Sequence, residues 1–232
     1  MKSQRLITLL FLILLSFVFS CSHQPTETGI SIVTATSGLM KNRLAPFPVY
    51  LTNSPVNRTK LEKKYSSDIF IIHTGHILKP DLSKAENEKS LEALSSLGIN
   101  LVNLTLEDFV IAESQEINFE NYNQAFLNSS VIDLNRDDLA TAKNIHSYEE
   151  HGGMAFIGLS DSKIDKKLLQ EKSKEKYIIN DYVLSILKVK KVALKNATPT
   201  AIHSFIIVHT LGNEINEVMA RLPPTFINSL AD

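Results

Sequence analysis

The sequence predicts an α/β domain, a layered sheet or sheets flanked by helices, and three observations predict it. Short apolar, β-branched runs recur along the chain: ISIVTATSG at 30–38, DIFIIHTG at 68–75 and FIIVHTLG at 205–212. They lack the polar alternation of a strand with one wet face, as expected for parallel strands covered on both sides. Between them lie longer segments of helical period with start and stop signals.

The elements follow in order. ISIVTATSG is a strand closed by a turn. PFPVY (46–50) carries two prolines and predicts loop or an edge strand. SPVNRTKLEKKY opens with a Ser cap and a proline at the first helical position, which predicts a helix over 55–65. DIFIIHTG is a buried strand. DLSKAENEKSLEALSSLG predicts a helix over 81–97 that buries Leu91, Leu94 and Leu97 and stops at Gly98. INLVNLT is the next strand, and Thr105 with Asp108 has the spacing of a capping box. AFLNSSVIDL reads as one strand, and SYEEHGGMAFIGLS as a hairpin turning at His151-Gly152-Gly153. NDYVLSILKVKKVALKN predicts a helix, AIHSFIIVHTLG a strand, NEINEVMARL a helix and PPTFINSL a last strand.

Among 232 residues, hydrophobic residues make up 44% and charged residues 21%, which is ordinary for a globular chain. The net charge is −1 and no basic stripe is present, so a nucleic-acid partner is not expected. The longest basic cluster, KVKK at 188–191, sits among apolar residues and reads as the solvated face of an element.

The first twenty residues read as a leader. Lys2 and Arg5 precede an apolar run from Leu6 to Phe19. The run is shorter than the ~20 residues of a comfortable membrane span and suits a signal peptide. It ends VFSCS, which resembles the bacterial lipobox, with Phe19 bulkier than that motif usually has. The resemblance implies cleavage before Cys21 and diacylation of its thiol (hence the expectation of palmitate or a similar acyl chain). Cys21 is the single cysteine, so once acylated it leaves no thiol for a disulfide, zinc or catalysis. The expected organisation is a signal peptide at 1–20, a lipid-anchored tether at 21–29 and an α/β domain at 30–232. Ser22 after the cysteine implies the outer membrane if the cell has one.

Ligands in open α/β folds gather at the carboxyl ends of strands. Those ends here are Thr34 to Ser37, His73 to His76, Thr105 to Asp108, His209 to Gly212 and the last residues of the chain. In that order they resemble the five motif positions of the 5′-nucleotidase branch of the calcineurin-like metallophosphoesterases. DIFIIHTGHIL resembles the family's second strand and Gly-Asp turn. LEALSSLGINLVNLTLEDF resembles the stretch ending in its Asn-His motif, and SYEEHGGMAFIGLS its "NGVKIGFIGLT" hairpin. The resemblance implies two divalent metals held by Asp, His and Asn side chains.

The family's ligand positions carry other residues. Its first Asp-x-His pair falls on Ser37 and Leu39, the bridging Asp on His76, and the Asn-His pair on Leu106 and Glu107. The later histidine falls on Thr210, with His209 one position off and therefore facing the opposite side of its strand. The final Gly-His-x-His has no counterpart in the last residues. A neutral imidazole offers one lone pair and cannot bridge two cations as a carboxylate does.

Two readings of these residues stand. In the first, the site is a remnant, no cofactor is expected, and the domain is a non-catalytic binding or scaffolding module whose partner is an envelope protein or small ligand. In the second, His73, His76, Glu107, Asp108 and His209 form a rebuilt metal site, and the protein is a metal-dependent hydrolase of phosphate esters or nucleotides. A solute-binding lipoprotein fits the tether, but the chain is short for two lobes.

Overall fold

The computed structural model of the chain describes residues 29–33, 38–40, 47–54, 56–165, 168, 175–196, 202 and 204–223. The leader, Cys21, Ser37 and the expected strand PPTFINSL beyond residue 223 lie outside the described residues.

Two sheets stack face to face. The first has six strands in the order β2 (Gly38–Met40), β3 (Val49–Thr52), β4 (Phe70–His73), β5 (Leu101–Asn103), β6 (Ala125–Leu127) and β9 (Ile145–His146). From β3 to β9 all pairings are parallel, and β2 runs antiparallel at the edge. The second has four strands, β1 (Gly29–Val33), β13 (Ser204–His209), β11 (Met154–Leu159) and β10 (Glu149–His151), with β1, β13 and β11 parallel. A small antiparallel sheet, β12 (Tyr177–Ile179), β7 (Val131–Asp133) and β8 (Asp138–Leu139), completes the set.

Strand alternation separates three cores. Phe70 and Ile72 of β4 meet Phe156, Ile206 and Val208 between the two sheets. Their neighbours Ile69 and Ile71 face the opposite way, under α2 (Lys84–Ser96) and α3 (Leu106–Ser114). Likewise Phe205 and Ile207 of β13 face α4 (Tyr182–Asn196) and α5 (Glu214–Arg221). The result is four layers, helix–sheet–sheet–helix, with the central strands β4, β5 and β11 buried on both faces. That explains the continuous apolar runs in the sequence.

Several elements follow their local signals. Ser83 and Glu86 form a reciprocal capping box that starts α2 three residues later than expected, at Lys84. Leu91 and Leu94 are buried on the sheet, and Leu97 packs partly buried at the helix end. Gly98 follows at φ +72°, and a side chain there would strike Arg58. Gly152 and Gly153 both take positive φ at the β10–β11 turn, as a two-residue hairpin requires.

Three expectations need correction. Within PFPVY, Phe47 and Pro48 are loop as expected, but Val49 and Tyr50 belong to an interior strand, which begins directly after Pro48, whose carbonyl accepts from Phe70 N at 2.8 Å. The proline sits before the ladder, so its missing N–H is not called on. The helix expected over 55–65 is α1 (Arg58–Lys64), capped by Asn57, whose side chain accepts from Lys60 N. AFLNSSVIDL is two strands in different sheets. Asn128 breaks it: its Oδ1 accepts from Ser130 N and Val131 N, and its Nδ2 donates to Val131 O and Ala140 O. Such local side-chain bonds replace ladder bonds and turn the chain.

Leu94→Ala is expected to cost ~2–5 kcal/mol, the usual range for emptying a leucine-sized buried volume. Leu184→Ala, at a position 60% exposed, should change stability by less than ~0.5 kcal/mol. Urea unfolding followed by far-UV circular dichroism checks the contrast.

Candidate functional site

The carboxyl ends of the parallel strands of both sheets come to one edge, and the chain turns tightly there. After β4 the chain reads Thr74-Gly75-His76. Gly75 takes φ +128°, and a side chain there would collide with the Thr105 methyl. His76 takes φ +55°, a left-handed conformation uncommon for a residue with a side chain. Asp108 holds this turn. Its Oδ1 accepts from Ile77 N at 2.8 Å and Leu78 N at 2.9 Å, and its Oδ2 from His76 N at 3.1 Å. The same Oδ2 closes the α3 capping box, accepting from Thr105 N at 2.9 Å and Thr105 Oγ1 at 2.7 Å. Both oxygens of Asp108 are therefore occupied by donors of the fold itself.

His76 lies between two carboxylates. Nδ1 is 3.1 Å from Glu107 Oε2, and Nε2 is 3.5 Å from Asp161 Oδ2. The buried Asp161 and the nearer Glu107 raise its pKa to about 10, so it is an imidazolium at neutral pH. The same contact holds the Glu107 carboxyl below its ordinary range. Glu107 is fixed further by Asp165 N, which donates to Oε1 at 2.7 Å, and Asp161 N donates to Thr210 Oγ1 at 2.9 Å.

His73 and His209 play a different part. Each ends a parallel strand, each precedes a threonine, and each accepts at Nδ1 the N–H two residues on: Gly75 N at 3.3 Å and Leu211 N at 3.2 Å. Burial pushes both pKa values down to about 4, so both rings are neutral. By strand alternation His73 shares the α2 face of the six-stranded sheet with Ile69 and Ile71. His209 shares the α4 face of the four-stranded sheet with Phe205 and Ile207. Both sheets lie between them.

Of the five candidates for a rebuilt metal site, the structure thus brings together His76 and Glu107. It turns Asp108 onto backbone N–H groups, and it places His73 and His209 on opposite outer faces. Among the described residues no three His, Cys, Asp or Glu side chains are grouped to hold a metal ion. Leu39 lies in edge strand β2, Leu106 is buried with its N–H donated to Ser160 Oγ at 2.6 Å, and Thr210 serves Asp161. The donor set does not fit the paired divalent metals implied by the resemblance. Its central member is a cation, and its most buried carboxylate on this edge, Asp108, is saturated with N–H donors.

Asp161 is the residue that sequence reasoning missed. It lies two residues beyond the end of β11, a parallel strand, which is the rule that singled out His73. Reading MAFIGLS as the second arm of a hairpin hid it. Asn103, fully buried, ties the two sheets at this edge by donating from Nδ2 to Thr74 O and Leu159 O, each at 3.1 Å.

Two stacked sheets with outer helices and turns gathered at their carboxyl edge define a metallophosphoesterase-like α/β fold. Solved structures share it. A Thermus thermophilus sulfate thiohydrolase, SoxB, in complex with glycerol matches with a TM-score of 0.54 at 13% identity, over 71% of this chain and 31% of that one. A 5′-nucleotidase precursor from Thermus thermophilus matches with a TM-score of 0.54 at 11% identity, over 84% and 39%. The Haemophilus influenzae NAD nucleotidase NadN matches with a TM-score of 0.50 at 17% identity, over 82% and 35%. The likeness at these identities is one of fold, and the matches span 31–39% of the other chains' lengths. No protein-family profile matches the sequence, and a search of curated proteins found no match.

Proposed function

We propose that this chain is a lipoprotein of the bacterial cell envelope whose 5′-nucleotidase-like domain is a non-catalytic binding or scaffolding module. One observation carries the reading: the His76 imidazolium fills the turn between Glu107 and Asp161. An internal cation there neutralises carboxylates that would otherwise draw a metal, and it opposes entry of a second cation by like-charge repulsion. The lipobox-like VFSCS supports the envelope location, with acyl chains on Cys21 as the membrane anchor, in the outer membrane if the cell has one. Two acyl chains give the stable attachment that one does not.

Metal analysis of the purified protein, paired with phosphate release from AMP, NAD and 4-nitrophenyl phosphate, tests the module. Less than stoichiometric metal and no turnover are expected. His76→Asp alone should leave turnover at background, because Ser37, Leu39, Leu106 and Thr210 supply none of the family's ligands. Stoichiometric zinc or manganese, lost together with phosphate release in His76→Ala, would establish a rebuilt hydrolase instead. The envelope location is tested separately: Cys21→Ala should leave the chain uncleaved or release it from membranes. A native chain that is soluble and begins elsewhere than Cys21 would defeat that part.

A further inference from the structure

We propose that a cavity beside the strand edge binds a small organic anion with a short apolar body. The proposal rests on the binding-module reading and names a ligand class for it. The cavity lies on the outer face of the six-stranded sheet, between the turn after β4 and helix α2, and its volume is about 240 Å³. Ile77, Leu94, Leu97 and Ile99 supply its apolar floor. His73 and His76 line the side toward the sheet edge, and Lys79, Asn53, Ser54, Ser90 and Ala93 complete the lining.

The chemistry of that lining selects the ligand. A mostly apolar cavity with a few polar groups at one side is the usual form of a small-molecule site. An apolar cavity of about 150 Å³ takes one benzene, so this one admits a ring or short chain together with a head group. No carboxylate lines it. The charge of His76 is already met by Glu107 and Asp161, outside the cavity lining. Lys79 is the other cation of the lining: its backbone N–H and C=O bond to the Asn87 side chain, and its ammonium meets the Glu107 carboxylate only through longer-range attraction. His73 adds a neutral donor, because Gly75 N–H on Nδ1 leaves the ring proton on Nε2. Lys79 and the polar groups Asn53, Ser54 and Ser90 thus provide for an acid group, while the leucine and isoleucine floor takes the rest. A carboxylate and a phosphate monoester share this chemistry. An amine would meet Lys79 unfavourably, and a neutral alcohol would forgo its charge.

Equilibrium dialysis of the full chain in lipid nanodiscs, with empty nanodiscs as blank, tests this with four probes: hexanoate, phenyl phosphate, hexanol and hexylamine. At least one of the two acids should bind saturably, one per chain, and at least tenfold tighter than hexanol or hexylamine. The acid that binds assigns the head group. Lys79→Ala, an exposed position, should weaken acid binding about tenfold, and more at low salt. Ala93→Trp, at an exposed helix position on the cavity wall, should abolish it. Absence of saturable acid binding, equal binding of hexanol or hexylamine, or binding indifferent to both substitutions would each overturn the proposal. Phenol release in the phenyl phosphate arm would instead refute the non-catalytic reading and leave the hexanoate result to decide the cavity.

Discussion

Asp108→Ala should destabilise the domain by ~3–5 kcal/mol, the range for removing one partner of a buried charged network. Five donors lose their acceptor at once: His76 N, Ile77 N, Leu78 N, Thr105 N and Thr105 Oγ1. Asp108 is fully buried, so water does not simply replace the carboxylate. The His76 turn, already at φ +55°, loses the acceptor that three of its successive N–H groups share, and α3 keeps its Thr105 cap but loses the reciprocal half of its capping box in the same step. Asp108→Asn keeps one acceptor oxygen and should cost less than the alanine variant. Urea unfolding measures both. A cost below ~1 kcal/mol for Asp108→Ala would show that this carboxylate does not organise the turn.

The second large effect is a stability profile that falls at both ends of the pH range. His76 binds its proton more tightly folded than unfolded, with a folded pKa raised to about 10 from 6.5. Its contribution is complete below pH 6.5 and is lost as pH rises through about 10. His73 and His209 behave oppositely, since burial lowers each from 6.5 to about 4. As pH falls from 6.5 to about 4 the unfolded chain takes up protons that the folded chain refuses, so stability falls, by roughly 2–4 kcal/mol for each ring. Glu107, with its pKa lowered, adds to the loss once pH drops below the ordinary carboxylate range. Maximum stability is therefore expected near pH 6.5, where the acid loss from His73 and His209 has ended and the alkaline loss from His76 begins. Unfolding free energies from about pH 4 to about pH 10.5 check the shape. His76→Gln should flatten the alkaline limb, and His73→Phe with His209→Phe should move the acid limb to lower pH. An alkaline limb unchanged in His76→Gln would show that His76 carries no folded-state charge.

Much of this architecture is legible along the chain because local chemistry specifies it. Ser83 with Glu86 and Thr105 with Asp108 cap their helices through bonds spanning three residues. The two glycines of the β10–β11 turn supply the positive φ it needs. Continuous apolar runs announce strands covered on both faces. Expectation and structure part where two local preferences compete. Pro48 is harmless because it stops one residue short of the ladder, and Asn128 splits an apolar run because its amide outcompetes sheet bonds.

The candidate site divides in the same way. Order and spacing alone located the edge where His73, His76, Glu107, Thr210 and their neighbours lie, and placed other residues at the ligand positions of the family it resembles. What each replacement does was a question of direction in space. Strand alternation sends His73 and His209 to opposite outer faces, although both end in His-Thr. The left-handed turn at His76 swings its ring between Glu107, 31 residues away along the chain, and Asp161, far later still. Asp108, a metal-ligand candidate by residue type, is turned inward by the N–H groups of a loop 30 residues before it. Residue types record which groups are available for chemistry. Only the packing of two sheets decides which of them share a point, because a charge, a lone pair and an N–H act over a few ångströms of space and not along the sequence.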